Sequence, residues 1–147
     1  EAVRRRGAGV ARVRLDVSYG TFAPVREERV EDHRMHPESF EVPAQTVRAV
    51  KSAKRVVAVG TTVVRALEHS TRSGRLLAGK GETSLFILPG FEFKVVGAMV
   101  TNFHLPGSTL IMLVAAFAGR ELVLEAYRQA VEMKYRFLSY GDAMLIL

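Results

Sequence analysis

Two segments of the chain share a pattern that few folds accommodate: a short apolar run, a turn, then a helix that opens on hydroxyl residues. VVAVG at 56–60 leads into TTVVRALEHS, and AMVTNF at 98–103 leads through HLPG into STLIMLVAAF. Short runs rich in valine suit a buried strand, while Val63, Val64 and Leu67 recur at helical spacing. Strand, turn and helix in succession mark an α/β fold, in which ligands gather at the carboxyl ends of the strands. The fold expected is α/β, with strand-helix units forming part of an open mixed sheet with flanking helices.

The rest of the chain fills in around this frame. EAVRRRG reads as the last turn of a helix with Gly7 as its C-cap, so the chain is expected to begin in the middle of a fold, with an N-terminal part missing. Ala11, Val13, Leu15 and Val17 alternate with Arg12, Arg14 and Asp16, which predicts a half-buried strand over 10–17. Residues 26–41 are polar and lack periodicity, predicting a long irregular excursion. Pro43 starts a helix that ends near Ser52, with Val47 and Val50 inward. RSGRLLAGKGETS predicts a glycine-rich loop, and LFIL, FEFKVV and AMVTNF predict three strands. Ser108 or Thr109 caps a helix that runs to Gly119. A further helix from Glu121 to about Lys134 is expected to bury Leu122, Leu124 or Val123, Ala126 and Val131, before AMLIL closes as a strand.

Composition narrows the function classes. A chain of 147 residues suits one domain, which at this size buries about 70% of its unfolded surface. Without cysteine there is no disulfide, thiolate metal site or cysteine nucleophile, and a reducing cytoplasm is the simpler setting. The longest apolar run, Leu110 to Ala118, is about half of the roughly 20 residues that span a bilayer, so no membrane partner is expected. The net charge of +6 gathers in groups: Arg4, Arg5, Arg6, Arg12 and Arg14, then Arg48, Lys51, Lys54 and Arg55, then Lys134 and Arg136. Such groups suit a polyanion such as RNA, and equally a plain solvated surface.

Four places can carry chemistry. Thr61, Thr62 and Arg65 stand where a buried strand feeds a helix, where free N–H groups, hydroxyls and a guanidinium fork favour a carboxylate or phosphate; the alternative is a threonine N-cap and a surface arginine. TNFHLPGST sets Asn102, His104, Ser108 and Thr109 at a second strand-to-helix junction, with a histidine able to exchange protons near neutral pH, or simply serving the turn. His33 and His36 lie in EDHRMH, where Pro37 argues for a loop; no third ligand is placed, and metal is not expected. Glu82 and Thr83 lead into a strand and face either a ligand or the turn. There is no Walker pattern, no G-x-S-x-G and no G-x-G-x-x-G.

GTFAPV, EDHRMHPESFEVP, VAVGTTVVRALE, LFILPGFEFKVVGAMVTNFHLPGSTLIMLVAAFAG and YRFLSYGDAMLI, in this order and spacing, resemble the C-terminal part of the S-adenosylmethionine:tRNA ribosyltransferase-isomerases of queuosine biosynthesis. The likeness runs from about Leu15 to Ile146. It departs from the family pattern at Asp16, Ser18 and Tyr19, where a histidine and small residues are usual, and at Gly97, which stands for an aspartate. The resemblance implies a two-domain enzyme in which residues 1–147 form the C-terminal part of the α/β domain, without the N-terminal half and the β-barrel domain.

It also implies an activity. The ribosyl unit of S-adenosylmethionine is transferred to 7-aminomethyl-7-deazaguanine at the wobble position of a tRNA with a GUN anticodon, and rearranges to give epoxyqueuosine while adenine and methionine leave. On that reading His104 is the first candidate for the base, and His33 or His36 serves the acceptor amine or departing adenine. Thr61, Thr62 and Arg65 suit the methionine carboxylate or a tRNA phosphate; Asn102, Ser108 and Thr109 position ribose or base; Thr21, Gly60, Glu82 and Thr83 complete the substrate-contacting set. No metal or redox cofactor is called for, and a cytoplasmic monomer is expected. The rival class is a basic α/β fragment that binds RNA without catalysis.

Overall fold

The computed structural model describes residues 1–17, 24–72 and 74–147. Thr21, Ser18 and Tyr19 lie outside the described residues. The chain is mixed α/β, with its strands shared between two three-stranded sheets and a two-stranded ribbon.

Strand β1 (Arg14–Asp16), β2 (Glu38–Val42) and β6 (Gly79–Thr83) form an antiparallel sheet with β2 at its centre. The ribbon joins β4 (Thr71–Arg72) to β5 (Arg75–Leu76). The second sheet is mixed: β3 (Val57–Val59) runs parallel to β7 (Ala98–Asn102), which pairs antiparallel with β8 (Ala143–Ile146). Helices are α1 (Ala2–Arg5), α2 (Ala44–Ser52), α3 (Thr61–His69), α4 (Thr109–Ala118) and α5 (Arg120–Glu132). Val64, Leu67, Met99, Leu113 and Val114 are among the most buried residues of the core between α3, α4 and the mixed sheet. On the other face of that sheet, Val59, Val100 and Leu145 lie in one cross-strand row, with Val59 and Leu145 exposed.

Both strand-to-helix junctions form as the periodicity requires, and Ser108 is the N-cap of α4. Three expectations are corrected. The glycine-rich 79–83 segment is a strand, paired residue by residue with Glu38–Val42 of β2, and the Phe40 ring lies against Gly81. The buried face of α5 is Val123, Tyr127 and Ala130, with Leu122, Leu124 and Val131 exposed. Tyr127 sets that phase by packing edge-on against Phe103 and Phe137 and accepting the His104 N–H at its hydroxyl.

The third correction concerns LFIL and FEFKVV, neither of which is a strand. Side chains of α3 take up their backbone groups instead. Arg65 donates to the carbonyls of Thr83 and Leu85, and the Glu68 carboxylate accepts the N–H groups of Lys94, Val95 and Val96 at 2.9, 3.1 and 2.9 Å. Residues three apart on a helix share a face, so one turn of α3 does for this segment what a neighbouring strand would do.

Candidate active site

Because β3 and β7 are parallel neighbours, their carboxyl ends open side by side. The Gly60 N–H reaches across to the Val100 carbonyl at 2.8 Å, and a φ of +100° at Gly60, unfavourable for a residue with a Cβ, turns the chain directly into α3. No side chain among the described residues caps α3, so the amides of its first turn face the edge, where Thr61 and Thr62 begin the helix. Thr61 is buried and Thr62 half-buried. One strand away, β7 delivers Asn102 and His104 to the turn that opens α4. Val25 donates to the Gly107 carbonyl at 3.0 Å and Pro24 bridges Ser108, which brings the chain emerging from residues 18–23 to the same turn. Two helix N-termini therefore converge on one strand edge, a geometry suited to anionic groups.

His104 is only 7% exposed. Its Nε2 lies 2.9 Å from the Thr101 hydroxyl, and its backbone N–H donates to the Tyr127 hydroxyl at 2.8 Å. Burial lowers its pKa to about 4, so the imidazole is neutral at pH 7 and retains a proton-accepting nitrogen. Burial likewise pushes the Tyr127 phenol up. Asn102 is exposed at the edge and donates to the Asp142 carbonyl at 3.3 Å. The Ser108 hydroxyl is committed, donating to the Leu105 carbonyl and accepting from the Ile111 N–H. The buried Thr109 hydroxyl has no hydrogen-bond partner among the described residues.

The other candidates are placed differently. Arg65 is not a fork for a ligand: it is 1% exposed and its Nη1 pairs with Glu38 at 2.6 Å, tying α3 to β2. The buried guanidinium has its pKa lowered by desolvation, and the Glu38 carboxylate opposes that shift. Thr83 is buried and its hydroxyl accepts the Leu85 N–H, so it serves the turn; Glu82 is exposed on β6 in the antiparallel sheet. His33 holds Glu27 at 2.8 Å and sets its ring against Phe86, lowering the Glu27 pKa, while His36 is exposed. Among the described residues, neither joins the strand edge through a hydrogen bond or ring contact, and no cluster of three His, Asp or Glu occurs that could hold a metal. A hollow of about 490 Å³, lined in part by Glu68, His69, Phe91 and Lys94, lies at the opposite end of α3. Of its two carboxylates, Glu68 already accepts three amides and Glu92 is exposed, so the strand edge, with its buried histidine and helix starts, is the better site.

Sequence reasoning missed Glu38, Glu68 and Tyr127. The available signal was Arg65 itself, a cation set between Val64 and Ala66 in an apolar helix, which demands a buried carboxylate.

A family model described as queuosine biosynthesis protein matches residues 1–146. The chain belongs to the queuosine biosynthesis protein family. Within this family, the S-adenosylmethionine:tRNA ribosyltransferase-isomerase of Rubrobacter xylanophilus is 63% identical over 99% of the chain and 42% of its own length. That of Aquifex aeolicus is 57% identical over 100% of the chain and 44% of its own length. The crystal structure of the S-adenosylmethionine tRNA ribosyltransferase of Thermotoga maritima superimposes with a TM-score of 0.71 at 58% identity, over 75% of this chain and 40% of that one. The chain thus spans less than half the length of these family members.

Proposed function

We propose that this chain supplies the strand-edge wall of an S-adenosylmethionine:tRNA ribosyltransferase-isomerase. The reaction moves the ribosyl unit of S-adenosylmethionine onto 7-aminomethyl-7-deazaguanine in a tRNA with a GUN anticodon, forms epoxyqueuosine, and releases adenine and methionine. The observation that carries this reading is the convergence of two helix N-termini and a buried neutral histidine at the β3–β7 edge, in a chain with high identity to enzymes of that name. The larger protein is a two-domain enzyme with a β-barrel domain; it works as a cytoplasmic monomer without metal or redox cofactor.

The chemistry follows from the donor's charge. A sulfonium acidifies the adjoining 5′ methylene of the ribose, and His104 in its neutral form removes that proton. An imidazole with a pKa of about 4 is weaker than a free one by about 3 kcal/mol of proton affinity, so it needs a carbon acid already activated by the sulfonium. The α3 amides with Thr61 and Thr62 hold the methionine carboxylate, and Asn102 and Thr109 orient the ribose or base. His33 and His36 remain candidates for the acceptor amine or departing adenine.

The test places this segment in the Thermotoga maritima relative, in exchange for its own, and introduces His104→Gln. Adenine release with tRNA and S-adenosylmethionine should fall by about 100-fold to 10,000-fold while S-adenosylmethionine affinity holds. Nearly full turnover in a folded variant refutes the assignment and moves the role to His33 or His36.

A further inference from the structure

We propose that the outward face of α2 and the bend after it, residues 48–55, docks the phosphate backbone of RNA at a distance from the reacting edge. Between Glu41 and Glu68 the sequence has no acidic residue, yet it carries Arg48, Lys51, Lys54 and Arg55, all exposed. None of these four has a carboxylate partner among the described residues; the ion pairs belong to cations such as Arg5, Arg14, Lys80, Arg128 and Arg136. Arg55 spends only its Nε, on the Gly97 carbonyl at 3.2 Å. Ala49, Ser52 and Ala53, the exposed residues interspersed with the cations, are all small. At the start of the helix, the buried Thr46 donates to the Arg12 carbonyl and brings alongside another exposed arginine, with no carboxylate partner among the described residues.

The C-terminal half of α5, by contrast, carries its own counter-charges. On α5, Arg128 is flanked by Glu125 and Glu132 and bonded to both. Favourable interaction with the helix dipole explains only Lys51, which lies in the last turn of α2, and is worth about 0.3–1 kcal/mol. Four cations without a counter-charge repel one another, and a polyanion is what relieves that repulsion.

Position identifies the kind of polyanion. From Arg55 to Gly60 the chain takes five residue steps, at most about 16 Å at strand spacing, through the three-residue β3 from the amino to the carboxyl edge of the mixed sheet. A free nucleotide at the carboxyl edge cannot reach both places. An RNA hairpin with one loop base at the edge and its stem phosphates on α2 can. The identity of the RNA as tRNA rests on the function proposed above; the surface does not.

The experiment is binding of a synthetic anticodon stem-loop RNA to the 147-residue chain, by fluorescence anisotropy from about 50 to 200 mM salt and without S-adenosylmethionine. Replacing Arg48, Lys51 and Lys54 by Gln should reduce the slope of log affinity against log salt by about 2, since each phosphate contact contributes roughly 0.7–0.9. The control, Arg120→Gln with Lys134→Gln, should leave the slope unchanged. Should the triple variant melt early, Lys54→Gln, which lies outside the helix, should still lower the slope by about 0.8. An unchanged slope in these variants, equal loss in the control, or binding of phosphatidylserine vesicles but not RNA through these residues would each overturn the proposal. Adenine release by the assembled enzyme with its cations intact is scored separately: activity there with an unchanged slope in the variants sinks the surface alone, and a lowered slope in the variants with no activity in the intact enzyme sinks the catalytic reading alone.

Discussion

Acid should unfold this protein through His104. Its pKa is about 4 in the folded chain because burial disfavours the imidazolium, against about 6.5 when unfolded. Between those values the unfolded chain binds the proton that the folded chain refuses, so stability is fully present above pH 6.5 and is lost as pH falls towards 4. At pH 5 the unfolded side chain is almost wholly charged and the folded one about a tenth charged, which costs about 2 kcal/mol; by pH 4 the loss reaches about 3 kcal/mol. In a chain of 147 residues, 2 kcal/mol lowers the melting temperature by roughly 4–8 °C. The assay is urea unfolding of the parent chain and His104→Gln at pH 7 and pH 5. The variant lacks the titrating group, so the parent should lose about 2 kcal/mol more between the two pH values. Carboxylates whose pKa is lowered, such as Glu27 and Asp142, are present in both proteins and cancel in the comparison. Equal losses would show that His104 takes up its proton at no cost, and the buried neutral base would have to be abandoned.

Two further outcomes follow from buried polar groups. Glu38→Gln leaves the Arg65 guanidinium without its counter-charge and should cost about 3–5 kcal/mol in urea unfolding, only partly recovered when Arg65→Met is added, because that change also frees the Thr83 and Leu85 carbonyls; a cost below 1 kcal/mol would show that the pair does not hold α3 to β2. Thr109→Val removes a hydroxyl that has no partner, so stability should stay level or rise by up to about 1 kcal/mol while S-adenosylmethionine affinity of the assembled enzyme falls; a loss of stability above 1 kcal/mol would mean that the hydroxyl is already bonded.

Much of the frame was legible because it is written locally. Ser108 and Gly119 bracket α4, and the valines of 56–59 and 63–64 announce the strand and the helix that follows. Alternation in FEFKVV was legible too, but it was misleading, because a strand needs a partner and the partner here is a side chain 26 residues earlier. The face of α5 was hidden for a related reason: its apolar residues span a wide arc, and only contact with Phe103 and the His104 backbone selects the Tyr127 side. At the site, residue types marked His104, Thr61 and Thr109 as candidates, whereas the reassignment of Arg65 depends on Glu38, which lies far away in sequence and near only after folding.

The capture of residues 94–96 by Glu68 bears on how this protein lives in a crowded solution. FEFKVV sets phenylalanines and valines around Glu92 and Lys94, with no net charge and no proline, a composition open to stacked intermolecular sheets. A chain arriving from outside would need open amides along that segment to begin such a stack. Three consecutive amides are already satisfied by one carboxylate, and Phe91 and Phe93 are folded back edge-to-face, with Phe93 in turn against Phe117. A single acidic residue on a neighbouring helix thus does for solubility what other proteins achieve by placing lysines or prolines along an exposed strand.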